Sequence, residues 1–491
     1  MVDMVESGFA DRVLLGTADQ RMTGEQFASI VRAGAAWLAG RFDSVLYVGE
    51  NHPFLPVAVF AAASAGVSFV PLNYRLEDSR LTDLLSRQPG AIVLADATSA
   101  TRVTTGQPVH VFDEWLGELS GGDAEAASDD DAVAIVLYTS GTTAAPKAAL
   151  LRHRHLMAYL LETVEFGSAG DDEAVLISVP PYHVAGMANM VSNLFAGRRL
   201  VYLRAFDPRG WLAVVRDEGI THAMVVPTML ARIVEALQGR PADAPTLRTL
   251  SYGGAKMSPT VLAAALDAFA DTGFVNAYGL TETASTIAVL GPDDHRAAVT
   301  SDDPEVRRRL ASVGRPLPSV EVQIRGEDGA AVASGERGLV HVRGPQIAGE
   351  YEHGSLLDDE GWFCTRDLGW LDRDGYLYVE GRADDTIIRG GENIAPAEIE
   401  EVLQRHPDVA DVCVVGVSDD EWGQRIVAAV VARREVDAEE LRQHVRRELR
   451  SSKTPDDVVF YEILPHTDTG KVLRRQVAAE LSSPPPSATE S

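Results

Sequence analysis

Along most of the chain, short runs of β-branched and apolar residues alternate with Ala/Leu-rich stretches of helical period. Residues 44–48, 91–94, 133–138, 174–179, 222–226 and 247–252 read as buried strands, each closed by a loop rich in Gly, Pro, Ser or Thr. Strands alternating with helices predict sheets covered on both faces, and ligands bind such sheets where the strands end. After about residue 313 the pattern changes to Gly-punctuated strands with little helix, at 320–325, 339–343 and 376–380, which predicts a β-rich subdomain. A polar stretch, Gly381-Arg382-Ala383-Asp384-Asp385, precedes a final piece long enough for its own core. That piece contains an amphipathic helix over 438–450 with Leu441, Val445 and Leu449 on one face. The uncharged run 56–72 approaches the length of a membrane span, but Gly66 and Pro71 interrupt it. It reads instead as a buried helix followed by a buried strand, and no membrane span is expected. No internal repeat is evident.

Composition narrows the function classes. The 491 residues carry 44 Lys and Arg against 72 Asp and Glu, a net charge of −28. A field of that sign repels polyanions, so nucleic acid is not an expected partner. With 45% apolar and 24% charged residues the chain has the balance of a soluble globular protein. The tail 481–491, with Pro484, Pro485 and Pro486, is expected to be disordered. Two cysteines, Cys364 and Cys413, are too few for a disulfide framework or a thiolate zinc site. The N-terminus shows no basic region followed by an apolar one, so the expected location is cytoplasmic. Lysine is scarce: Lys147, Lys256, Lys453 and Lys471 stand among 40 arginines. A lysine kept in so Arg-biased a chain hints at a use for its compact ammonium. Residues 433–453 hold seven basic and five acidic side chains, opposite in sign to the whole. They form either a solvated helix face or a landing patch for a phosphorylated ligand.

The densest candidate chemistry is Tyr138-Thr139-Ser140-Gly141-Thr142-Thr143-Ala144-Ala145-Pro146-Lys147. A strand enters this segment and a helical stretch is expected to leave it. Hydroxyls and free backbone N–H groups in a tight loop wrap oxyanions, and a lysine supplies a point charge. It is not a Walker loop, because the Gly-x-x-x-x-Gly-Lys-Ser/Thr spacing fails.

This segment resembles the phosphate-binding motif of the adenylate-forming superfamily, which contains acyl-CoA synthetases, luciferases and peptide-synthetase adenylation domains. The resemblance spans nearly the whole chain. Pro181-Tyr182-His183-Val184-Ala185-Gly186-Met187 resembles the next motif, which borders the acyl pocket, and places His183 near the substrate carboxylate. Tyr278-Gly279-Leu280-Thr281-Glu282 resembles the motif whose Tyr stacks on adenine, whose Thr contacts the α-phosphate and whose Glu helps hold Mg²⁺. The resemblance adds Gly253, Gly254, Ala255 and Asn276 to the nucleotide site. Thr365-Arg366-Asp367 resembles the stretch whose Asp binds both ribose hydroxyls, and Arg382 matches an Arg that also reaches the ribose. Read alone, Asp367-Leu368-Gly369 could equally be a turn cap. Pro465-His466-Thr467-Asp468-Thr469-Gly470-Lys471 resembles the terminal motif with the mobile catalytic lysine. Two departures stand out: Ala144 and Ala148 occupy positions where the family usually has Gly, and an alanine forced to positive φ costs on the order of 1 kcal/mol.

The fold so implied is α/β. A large N-terminal domain, 1–381, comprises two α/β subdomains and a distorted β-barrel-like subdomain. A hinge at 382–384, centred on Asp384, joins it to a small mobile α+β domain, 385–480. The activity implied is ATP-dependent conversion of a carboxylic acid to acyl-AMP, followed by transfer to a thiol. ATP, Mg²⁺ and CoA are the implied cofactors, and Gly390-Gly391-Glu392-Asn393 would line the thiol tunnel. Ala185, Met187, Ala188, Asn189, Tyr252 and Ala284 are the candidate acyl-pocket residues. They are mostly small or apolar and favour a non-amino fatty, aryl or polycyclic acid. Three questions stay open: CoA against a carrier-protein phosphopantetheine as acceptor, a monomer against a homodimer, and an enzyme against a non-catalytic nucleotide-binding protein.

Overall fold

Two mainly parallel sheets form the frame of the protein in a computed structural model. It describes residues 1–119, 127, 129–139, 146–389, 392–419, 422–449, 451–467 and 470–482. The first sheet orders its strands Gly354–Ser355, Glu350–Tyr351, Lys147–Arg152, Val133–Thr139, Ser68–Leu72, Ser44–Val48, Ala91–Ala95 and Val109–Val111. Pairing is parallel from Val133–Thr139 onward and antiparallel before it. In the second sheet, six parallel strands run in the order Gly273–Leu280, Thr249–Gly253, His222–Val225, Ala174–Ile177, Arg199–Tyr202, Val13–Gly16. Antiparallel strands extend it at both edges. Both sheets are covered by helices, as the strand–helix alternation requires. The expected strands all form. The run 56–72 becomes the buried helix Leu55–Ser64 and the central strand Ser68–Leu72, and among the described residues no helix is long and apolar enough to cross a membrane.

The β-rich subdomain is a four-stranded antiparallel sheet, Glu321–Arg325, Gly338–Arg343, Phe363–Leu371 and Leu377–Arg382. Its inner face, with Val320, Ile324, Val340, Val342 and Phe363, packs on Ile287 and Ala288 of the second sheet. Beyond the short 3₁₀ turn Ala383–Asp385 comes the small C-terminal unit. It comprises a ribbon, Ile387–Arg389 with Glu392–Ile394, and a three-stranded sheet, Val409–Asp419, Gly423–Ala432 and Asp457–Phe460. The amphipathic helix spans Ala438–Glu448, burying Leu441 and Val445 against the helix Pro396–Gln404.

One element differs from expectation. Thr139 pairs with Lys147 in a hairpin, so an antiparallel strand, Lys147–Arg152, leaves the hydroxyl-rich segment and helix His153–Thr163 follows only afterwards. Ala148, Ala149 and Leu151 are fully buried there, and covering the sheet edge with them outweighs the helix propensity of Ala and Leu. Ala148 has no positive φ. Its methyl group is core packing.

Candidate functional site

The antiparallel register of Phe363–Leu371 with Leu377–Arg382 sets Asp367 directly opposite Arg382. Asp367 is therefore a mid-strand residue and not a turn cap. It is 6% exposed. Its carboxylate accepts the Tyr278 phenol and, at 3.2 Å, Nη1 of Arg382, which also donates to the Thr365 carbonyl at 3.0 Å. Burial pushes the Asp367 carboxyl up from its usual range, while Arg382, Tyr278 and Lys471 oppose the shift. Arg366, next to it, sits at φ +62°, a strained conformation of the sort that accumulates at binding sites.

Strand Gly273–Leu280 delivers Tyr278 to this cluster and then enters the 3₁₀ turn Thr281–Thr283, which carries Glu282. Gly279 has no alternative, because a Cβ there would lie 1.8 Å from the Ser285 carbonyl. Ala284 and Ser285 follow at φ +50° and +95°. Thr283 Oγ1 accepts from Leu280 N at 3.0 Å and Gln346 Nε2 donates to the Thr283 carbonyl at 3.0 Å, which holds the strained turn in place. The Glu282 carbonyl accepts the N–H groups of Ala348 and Gly349, each at 2.9 Å.

Tyr351 is the residue that sequence reasoning missed. Its phenol donates to Glu282 Oε1 and also meets the Thr139 hydroxyl, and its ring lies 6.0 Å from the Lys147 ammonium. Thus Thr139 and Lys147 of one motif and Glu282 of another converge on one side chain. Tyr351 is fixed in turn by its pairing with Ala149 and by the ion pair of Glu350 with Arg152. Among the described residues no cluster of three metal-ligating side chains exists. One carboxylate beside hydroxyls suits Mg²⁺, which draws its other ligands from phosphates and water.

Lys471 arrives from the C-terminal unit. Thr467 N donates to the Lys471 carbonyl at 2.7 Å and Lys471 N to Thr467 Oγ1 at 3.0 Å, closing a tight turn. Gly470 is at φ +75° and a Cβ there would lie 1.9 Å from Thr228 Oγ1 of helix Pro227–Leu237, so the turn docks on the large unit. The Lys471 side chain lies in a cleft, open to solvent on one side. Burial and the Arg382 charge lower its pKa, against the pull of Asp385 and Asp367. Two other lysines grip one helix, Pro396–Gln404: Lys256 from the large unit pairs with Glu401 at 3.1 Å, and Lys453 with Glu398 at 2.6 Å.

The candidate acyl-pocket residues divide. Met187, Ala188 and Ala284 share one buried cluster, and Ala185 packs on its neighbour. Asn189 is buried beside them, its Oδ1 and backbone carbonyl both accepting from Asn193 at 2.8 Å. Tyr252 is 1% exposed and its hydroxyl is hydrogen-bonded to His295 at 2.9 Å. His183 precedes helix Val184–Ala196 with its ring 4.6 Å from Tyr182. Gly253 ends its strand, Gly254 and Ala255 follow it, and Asn276 donates to the Ser312 carbonyl at 3.2 Å. Asp384 lies in the 3₁₀ turn and pairs with Arg366 at 3.1 Å. Ser140, Gly141, Thr142, Thr143, Ala144, Gly390 and Gly391 lie outside the described residues, as does the tail beyond 482.

Two helix-covered sheets, a β subdomain and a small unit that lowers a lysine into the cleft make this the architecture of an adenylate-forming enzyme. The chain belongs to the AMP-binding enzyme family, which it matches over residues 4–352, with the AMP-binding enzyme C-terminal domain matched over 398–471. It is 34% identical to a feruloyl-CoA synthase of Amycolatopsis sp, covering 89% of this chain and 88% of that one. To an indoleacetate–CoA ligase of Aromatoleum aromaticum it is 32% identical, over 92% and 90%. The o-succinylbenzoate CoA synthetase of Bacillus subtilis, solved with its acyl-adenylate intermediate, superposes with a TM-score of 0.85 at 28% identity over 97% of each chain. The same enzyme has been solved with ATP and magnesium ion, with a TM-score of 0.83 at 27% identity over 97% of this chain and 98% of that one.

Proposed function

We propose that the protein activates an apolar, non-amino carboxylic acid with ATP and transfers the acyl group to CoA. The observation that carries this reading is the meeting of Lys471, from the small unit, with the Asp367–Arg382–Tyr278 cluster of the large one. In the first step a carboxylate oxygen attacks the α-phosphorus and pyrophosphate leaves. Asp367 and Arg382 hold the ribose, and Tyr278 lines the adenine end. Thr281 and the Lys471 ammonium stabilise the negative charge that builds on the phosphoryl oxygens. The hydroxyl loop from Thr139 to Thr143, with Lys147, holds the departing pyrophosphate, and His183 lies toward the carboxylate. When bound, Mg²⁺ neutralises phosphate charge, and Glu282 is the side chain that would hold it. In the second step the small unit turns about Asp384, a thiol attacks the acyl carbon, AMP leaves, and the thiol proton passes to solvent. An aryl acid is the favoured substrate, since the feruloyl, indoleacetate and succinylbenzoate relatives all act on aryl acids.

The direct test is pyrophosphate release with a panel of aryl, fatty and polycyclic acids, followed by addition of CoA or of a phosphopantetheinylated carrier protein. Release with none of the acids would reject the activity; acyl transfer to the carrier alone would move the acceptor from CoA to protein.

Two substitutions probe the parts. Tyr351→Phe removes one charge-assisted hydrogen bond to Glu282, worth about 1.5–3 kcal/mol. The Mg²⁺ concentration that half-saturates ATP binding is therefore expected to rise at least tenfold. Titrating Mg²⁺ against the ATP-induced thermal shift reads it, and an unchanged midpoint would mean that the phenol does not orient the carboxylate. Asp384→Pro fixes φ and drives Ala383 out of its helical conformation. Thioester formation is expected to fall at least tenfold with adenylation retained. Equal loss of both half-reactions, measured separately, would count against rotation at this turn.

A further inference from the structure

Lys471 stands on a short antiparallel ladder. Leu473 N donates to the Pro465 carbonyl at 2.8 Å, His466 faces Val472 across a bridge, and Thr467 N donates to the Lys471 carbonyl, so residues 465–467 and 471–473 hold each other. Both strands of this ladder are tied to the rest of the small unit. Beyond Lys471, Arg474 donates to the Val414 carbonyl, meets Glu400 at 3.1 Å and pairs with Asp385 of the 3₁₀ turn at 3.3 Å. A guanidinium keeps its proton at any working pH, so that anchor is permanent. Before Lys471, the anchor is His466. Its Nδ1 lies 2.7 Å from the Leu464 carbonyl and its Nε2 3.0 Å from Asp411 Oδ2. Asp411, on strand Val409–Asp419, is itself fixed by Val412 N, which donates to its other oxygen at 2.9 Å. A carbonyl and a carboxylate only accept, so the two ring nitrogens satisfy them together only when each carries a proton.

We infer that His466 is a positioning residue whose imidazolium holds the Lys471 ladder in place, so that loss of one histidine proton slackens the catalytic ammonium, an inference that rests on the adenylation step proposed above. The neutral ring must turn a lone pair toward one of its two acceptors, which releases that contact. Asp411 is the charged group that faces the ring, and its hydrogen bond raises the histidine pKa above the ordinary value against the effect of burial. Of the other titratable groups nearby, Arg474 is committed to Glu400 and Asp385, and Tyr461 is hydrogen-bonded to Glu480 at 3.4 Å. Burial pushes the Cys413 thiol up to about 12, so it stays neutral. The raised histidine pKa sets the sign: the anchor is complete below the ordinary histidine range and is lost as pH rises through the raised value. The placement of Lys471 thus depends on a proton that it does not carry.

The test measures adenylation alone, as pyrophosphate release without a thiol, from mildly acid to mildly alkaline pH. Wild type is expected to lose about tenfold in rate through a limb set by His466, the kind of loss that a slightly misplaced catalytic group brings. His466→Arg, which keeps the charge, should hold the upper plateau and lack that limb, whereas His466→Gln should sit at the lower plateau throughout. Asp411→Asn should move the limb to lower pH. Loss of the Lys471 proton itself remains as a separate limb in each. An unchanged His466 limb in His466→Arg, or a His466→Gln profile parallel to wild type, would overturn the inference. A second readout needs no turnover. Because the chain has only four lysines, ¹³C-dimethylation gives few side-chain ammonium signals, and that of Lys471 is assigned by its loss in Lys471→Arg. In wild type this signal should shift with the same midpoint as the His466 ring signal, and in His466→Gln the step should vanish. A Lys471 signal that lacks the step in wild type, or keeps it in His466→Gln, overturns the anchor. Should no acid support pyrophosphate release, the activity proposed above fails and these spectra alone decide the anchor.

Discussion

Lys471→Ala is expected to slow acyl-adenylate formation by roughly 10²–10³-fold, the loss that follows removal of one preorganised donor from a developing oxyanion. Folding should be spared, because the side chain lies in an open cleft and packs on no core. Pyrophosphate release with the cognate acid measures it, and a native rate would show that the docked turn has another purpose. The pH profile sharpens the result. Burial and the neighbouring Arg382 charge hold the ammonium below the usual lysine range. A lowered pKa means that the proton is lost at lower pH, so the wild-type rate should decline on the alkaline side sooner than an unperturbed lysine would allow. Lys471→Arg, which stays charged, should lose that limb.

Asp367→Asn is expected to weaken ATP binding by about 10–100-fold, since a carboxylate that accepts hydroxyl groups contributes about 1.5–3 kcal/mol through charge-assisted bonds. The amide keeps the shape and still accepts from Tyr278, but it cannot neutralise Arg382. Titration of ATP by calorimetry or fluorescence reports the change. Wild-type affinity would remove Asp367 from the nucleotide site. The carboxylate is buried between a phenol and a guanidinium, so its loss also leaves Arg382 without its partner. A lower melting temperature should accompany the weaker binding.

The parallel strands were legible because β-branched runs buried on both faces leave a plain signal, as at Ser44–Val48 and Ala91–Ala95. Strand Lys147–Arg152 was not, because its Ala and Leu residues favour a helix and only the uncovered edge of Val133–Thr139 makes them a strand. Two-residue strands such as Gly354–Ser355 exist solely through their pairing. At the site, motif-bearing residues such as Asp367, Arg382, Glu282 and Lys471 could be named from local sequence. Tyr351 could not: its partner Glu282 lies 69 positions away, and nothing in Gly349-Glu350-Tyr351-Glu352 announces the contact.

The scarcity of lysine bears on the enzyme's own chemical safety. An acyl-adenylate is a strong acylating agent, and any that escapes the cleft reacts with unprotonated primary amines, whereas a guanidinium is not nucleophilic at physiological pH. This surface presents arginine almost throughout, and two of its four side-chain amines are engaged in ion pairs with Glu401 and Glu398. The chain therefore offers its own reactive product few places to attach, and self-acylation has little to act on besides Lys147 and Lys471, the two amines that face the cleft chemistry.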